Sequence, residues 1–176
     1  MKRTLLLLAV LALSVSIAGA QTQVKKENVA GITNFNHIET TVACAGAITT
    51  QSIPEIKKMG FASIINLRLP TEAGANIEAM QAEASRVGIT YTNIPFNNAA
   101  MDPAAVDRFI QAITQRGSEP AFIHCAGGGR AATMWFVKRV LVDKWTTDRA
   151  MTEATALGMS SEAHKTFALN YIQNKK

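Results

Sequence analysis

The chain has 176 residues and a formal charge of +5, with basic residues in scattered pairs such as Lys57 with Lys58 and Lys175 with Lys176 and in no longer run. That dispersion argues against a nucleic-acid-binding stripe and supports only a mild preference for anionic ligands. Its two cysteines, Cys44 and Cys125, share no zinc-ligand spacing with His37, His124 or His164, so no metal and no cofactor is expected.

Residues 1–20 open with Lys2 and Arg3, continue as an apolar run over 5–17 and close on the small residues Ala18, Gly19 and Ala20. This is the pattern of a secretory signal peptide, and its apolar run is too short to cross a bilayer. Cleavage near Ala20 predicts a periplasmic or secreted protein, with the charge lowered from +5 to +3 by the loss of Lys2 and Arg3. No later segment is apolar for long enough to form a membrane span. Residues 21–36 are polar and show no hydrophobic period, which predicts a mobile leader ahead of one domain over 37–176, a length that can bury a substantial core.

From Ile38 onward, short apolar runs alternate with helical patterns, the signature of an α/β domain with a small, mainly parallel sheet flanked by helices. A strand is expected over 42–45. A helix then opens after Ser52 with Pro54 in its first turn and stops at Gly60. "FASIINLR" at 61–68 reads as a buried strand, followed by a helix over 77–87 ended by Gly88. "ITYTNIP" gives another strand, and Asp102 with Pro103 opens a helix running to about 115, with Val106, Phe109, Ile110 and Ile113 on its inner face. "PAFIH" is the strand that delivers Cys125. Helical spacing over 131–142 and two further helices with hydroxyl-bearing N-caps predict a helical C-terminal part.

The segment "HCAGGGRAAT" concentrates the chemistry. A thiolate is the nucleophilic form of cysteine, and a position just before a helix N-terminus offers Cys125 the helix dipole and unpaired N–H groups. Ala126, Gly127, Gly128 and Gly129 form a loop whose glycines let successive N–H groups turn inward as an anion-binding nest. Arg130 adds a planar fork for two oxygens of a phosphate or related oxyanion. The other reading of these residues is a plain strand-to-helix turn with a packed cysteine and a solvated arginine. His124 either hydrogen-bonds the loop in support of the thiolate or fills a core position. The loop lacks the lysine and hydroxyl of a Walker P-loop, and no Gly-x-Ser-x-Gly elbow occurs.

"SIINLR", "YTNIP", "HCAGGGRAATMW" and "DRAMTEATALGM" together resemble the bacterial dual-specificity-phosphatase-like family, also described as the phosphatase-like domain of β-lactamase-hydrolase-like proteins. The resemblance spans about 38–159. It implies the cysteine-phosphatase fold and a metal-independent protein-tyrosine or dual-specificity type of hydrolase, with Cys125 as nucleophile and Arg130 as phosphate clamp. It also implies a phosphocysteine intermediate, a phosphorylated small molecule or protein as substrate, and an aspartate as general acid. Asp102 is the candidate acid, with a helix N-cap as its other reading and Asp107 as a weaker alternative.

Two departures from the family pattern leave other functions open. Only four residues separate Cys125 from Arg130 where five are usual, a gap that also resembles the persulfide loop of rhodanese-type sulfurtransferases. Ala131 stands where a hydroxyl residue usually follows the arginine, which leaves room for a non-catalytic anion-binding or redox module. In an oxidising compartment Cys44 and Cys125 could also pair as a disulfide, since both are expected at the same end of a parallel sheet.

Overall fold

The computed structural model describes residues 23–38 and 40–175. The signal peptide expected over 1–20 lies outside them. Six strands and six helices follow in the order β1 (Lys25–Val29), β2 (Ile32–Ile38), β3 (Val42–Ala45), α1 (Ile53–Lys58), β4 (Ser63–Asn66), α2 (Ile77–Arg86), β5 (Thr90–Asn93), α3 (Pro103–Ile113), β6 (Ala121–His124), α4 (Gly129–Leu141), α5 (Thr147–Leu157) and α6 (Glu162–Asn174). They form one six-stranded sheet in the order β1-β2-β3-β6-β4-β5. The three pairings from β3 to β5 are parallel, and β1 and β2 extend the β3 edge as an antiparallel hairpin.

This hairpin corrects the expectation of a patternless leader over 21–36. Its strand period is hidden by a bulge: Glu27 pairs with Phe35 and Val29 with Ile32, so Thr33 and Asn34 together oppose Asn28. Asn34 takes a φ of +48°, a left-handed conformation that asparagine tolerates better than most residues. The inward set Ile32, Phe35 and Ile38 therefore lacks strict alternation, although all three are buried.

Alternation across the central strands builds two cores. Cys44, Ile65 and Ile123 face α3 to α6, whereas Ala43, Ile64 and Phe122 face α1 and α2. α4 is buried from Arg130 to Val140, its charged Arg130, Lys138 and Arg139 included, so burial follows no single face and the amphipathic signal is weak. The C-terminal helices are capped as expected, with Thr146 and Ser161 accepting from the N–H groups of Arg149 and His164. Among the described residues no helix is long and apolar enough to cross a membrane.

Candidate active site

The site lies at the C-terminal ends of β3, β6 and β4, where the carboxyl edges of parallel strands leave a crevice. β6 is buried at all four positions and hands the chain directly to Cys125, itself 1% exposed. The loop folds back on the sulfur, and the Gly128 N–H donates to Cys125 Sγ at 3.0 Å. Gly128 is the N-cap of α4 with a φ of +104°, which only glycine adopts without strain, so this position requires it. Gly129 and Arg130 form the first turn of the helix, two residues earlier than the spacing implies.

The loop is braced by the residues that follow β3 and by β2. Ala126 O accepts from Ala47 N at 2.9 Å, and Gly127 O accepts from Asn34 Nδ2 at 3.0 Å. Close approach explains Gly46, where a methyl group would stand 2.9 Å from Ala126 O and 3.1 Å from Thr33. The bulged hairpin thus supports the outer wall of the loop.

Arg130 is not solvated but held at 5% exposure. Its Nη1 and Nη2 form a two-pronged contact with Glu72 at 2.6 and 2.8 Å, and Nη1 also donates to Leu67 O and Phe96 O at 3.1 and 2.9 Å. These contacts fix the plane of the guanidinium, and a hydrogen bond to the Cys125 side chain adds to them. Burial opposes its charge, but Glu72 and the neighbouring Cys125 sulfur outweigh that and raise its pKa. The Arg130 hydrogen bond, in turn, holds the Glu72 carboxyl at about 2, below its ordinary 4.5. Arg68 completes the cluster, reaching Glu72 Oε2 at 3.3 Å and pinning the carbonyls of Ala73 and Gly74.

His124 sits under the loop with no exposed surface. Burial, then the charge of Arg68, lowers its pKa to about 3, so the ring is neutral. Backbone groups of Cys125 and Gly46 face the ring, but neither ring nitrogen closes a hydrogen bond of good geometry. Asp102 caps α3, its Oδ1 accepting from Ala104 N at 2.9 Å, and its side chain is 55% exposed. Asp107 faces away toward α6, where Tyr171 and Lys175 donate to it at 2.7 and 2.8 Å. Cys44 pairs in register with Ile123, two residues before Cys125 on the neighbouring strand, and both thiols are free. Burial, and then the Cys125 charge, push the Cys44 thiol well above its ordinary range.

A family model described as "DSP-PTPase phosphatase fused to NAD+ Kinase" matches residues 16–172. The chain belongs to the DSP-PTPase phosphatase family. A β-lactamase hydrolase-like protein of Xylella fastidiosa (strain Temecula1) is 31% identical over 126 residues, which cover 69% of this chain and 27% of that protein. The chain therefore matches about a quarter of the length of that curated relative. Among solved structures, the DUF442 protein of Shewanella putrefaciens CN-32 superposes with a TM-score of 0.67 at 18% identity, covering 82% of this chain and 94% of that one. P. aeruginosa TpbA in complex with phosphotyrosine superposes with a TM-score of 0.63 at 15% identity, covering 88% of this chain and 91% of that one. The expected cysteine-phosphatase fold is thereby shown.

Sequence reasoning for this DSP-PTPase domain missed Glu72, Asn34 and His164. Glu72 lies on the 69–75 loop, outside any periodic pattern, and its only signal is indirect. A buried arginine in the first turn of α4 needs a carboxylate, and Glu72 lies on the loop after β4, the strand that pairs with β6.

Proposed function

We propose that the protein hydrolyses phosphomonoesters through a covalent phosphocysteine on Cys125. The observation that carries this reading is the meeting of donors at one sulfur: the Gly128 N–H lies 3.0 Å from Sγ, and the buried Arg130, fixed by Glu72, interacts with the same Cys125. Sγ attacks phosphorus as the ester oxygen departs, and that oxygen takes a proton from Asp102. Water then attacks the phosphocysteine, its proton passes to the Asp102 carboxylate, the S–P bond breaks and the thiolate returns. The loop amides of Ala126, Gly127, Gly128 and Gly129 and the Arg130 fork bind the equatorial oxygens, where phosphoryl transfer gains most of its stabilisation. His124 supports the loop as a neutral packed ring. The chemistry uses no metal or cofactor, and the substrate is a phosphorylated small molecule or protein of tyrosine- or dual-specificity type.

The same reading places the mature protein in the periplasm after cleavage near Ala20, which N-terminal sequencing of exported protein checks. It also allows a reversible block by a Cys44–Cys125 disulfide. β3 and β6 are neighbours, but the register leaves the two cysteines diagonal, so a bridge needs the loop to shift toward β3. Alkylation before and after reduction reads out the pairing. The functional test is a parallel assay for aryl phosphate hydrolysis and thiosulfate-to-cyanide sulfur transfer with native protein and Cys125→Ser. Phosphate release that vanishes in the variant, without thiocyanate, is expected; sulfur transfer without phosphate release would overturn the reading.

A further inference from the structure

The segment between β5 and α3 is fastened to the site at two points. Phe96 O accepts from Arg130 Nη1 at 2.9 Å, and Asn98 Oδ1 lies 3.0 Å from His164 Nε2. Between Asn98 and Asp102 the chain is stiffened by a tight turn, with Asn97 Oδ1 accepting from Ala99 N at 2.9 Å and Asn97 O from Ala100 N at 3.3 Å. Asp102 follows directly. One side-chain hydrogen bond therefore ties the turn that leads into Asp102 to the first turn of α6.

His164 is 7% exposed, and its ring is wedged between that turn and the start of α4. A methyl group at Gly129 would stand 3.7 Å from His164 Nδ1, and the ring centroid is 6.4 Å from that of Phe96. Because Asn98 presents an oxygen, Nε2 carries the proton. Burial and the nearby Arg130 charge keep the ring neutral, so Nδ1 bears a lone pair, and it has no partner among the described residues. Leaving a buried acceptor unpaired is unfavourable. A phenylalanine beside Phe96 and Phe167 would fill the space without that cost. Packing alone therefore does not account for a histidine here, whereas the bond to Asn98 does.

We propose that His164 is a positioning residue for leaving-group protonation: its Nε2–H latches Asn98 and thereby holds the 97–102 segment, with Asp102 at its end, against the phosphate loop. This rests on the reading of Asp102 as the general acid. His164 touches no reacting atom, and its effect passes through Asn98. The latch also makes α6, a helix outside the phosphate loop, part of the acid step.

The test compares phenyl phosphate, a poor leaving group, with nitrophenyl phosphate, a good one, in native protein, His164→Phe, His164→Gln, Asn98→Ala, the His164→Phe/Asn98→Ala double variant and Asp102→Asn. Asn98 is exposed, so its replacement leaves the core intact even where His164→Phe folds poorly. Loss of the latch is expected to slow kcat for phenyl phosphate at least about tenfold more than for nitrophenyl phosphate, since only the poor leaving group needs the proton. His164→Gln, which can still donate to Asn98, recovers most of the difference, and the double variant is no worse than either single one. Equal slowing of both substrates, or additive single effects, overturns the latch when Asp102→Asn itself discriminates between them. If Asp102→Asn does not discriminate, the acid reading fails and the protonation role of His164 is overturned with it, and amide exchange decides only whether the contact holds the segment. Faster exchange at 97–101 in Asn98→Ala shows that it does, and unchanged exchange shows that it does not.

Discussion

Arg130 is buried and depends on Glu72 for its compensating charge. Glu72→Gln leaves the guanidinium short of that charge and, with the Glu72 side chain 22% exposed, is expected to cost about 1–3 kcal/mol of stability and to reduce turnover. Because the folded Glu72 pKa is depressed to about 2, its contribution is complete above the ordinary 4.5 and is lost as pH falls toward 2. Urea unfolding should thus show the native protein's advantage over Glu72→Gln unchanged from pH 7 to 5 and shrinking below pH 4. His124 works in a higher window. Its folded pKa of about 3 lies below the ordinary 6.5, so the unfolded chain binds a proton that the folded one refuses. Its contribution is present above 6.5 and falls by about 1.4 kcal/mol per pH unit between 6.5 and 3. His124→Phe, which leaves no buried nitrogen, is expected to flatten that slope in urea titrations between pH 7 and 5. An unchanged slope would place the titrating group elsewhere.

At the scale of elements, what was legible in the sequence follows from how completely one pattern governs each segment. β3, β4 and β6 are buried at every position around short apolar cores, and α3 carries Asp102, Pro103 and an inward stripe, so their places were readable. The Cys125-to-Arg130 loop was legible because three glycines between a cysteine and an arginine have few structural uses. The β1–β2 hairpin was not, because the bulge at Asn34 breaks the period of two that marks a strand. Glu72 and the Asn98–His164 contact were also hidden, since they join residues 58 and 66 positions apart across loops with no periodicity. Asp102 shows the limit of a motif, since the same residues that mark a general acid also make the N-cap seen here. The packing of β3 against the loop yields its own test. Gly46→Ala brings a methyl group into the Ala126 carbonyl and Thr33, so it should cost about 1–3 kcal/mol and displace the loop. Turnover lost while α-helical circular dichroism is retained would confirm that the brace acts on the site.

For the whole molecule, α4 is the axis around which the α3 to α6 layer is assembled, and its C-terminal half holds that layer by charge and aromatic stacking. The Arg139 guanidinium lies between Trp135 and Trp145, with its carbon 4.5 and 4.0 Å from the two ring centroids, and Arg149 covers Trp145 at 3.5 Å. Buried Glu153 accepts from both Trp135 Nε1 and Arg139 Nε at 2.7 Å. Glu153→Ala should therefore cost about 3–5 kcal/mol in urea unfolding. The preference between phenyl and nitrophenyl phosphate should stay as in the native protein, because this cluster sits on the C-terminal half of α4, away from the Cys125 loop at its start. The central claim is that phosphate passes through Cys125, and acid quenching of a single turnover with peptide mass spectrometry tests it most directly. The account predicts one phosphoryl group on the peptide containing Cys125 in native protein and none in Cys125→Ser; phosphate release that persists in Cys125→Ser, with no adduct in either protein, would contradict it.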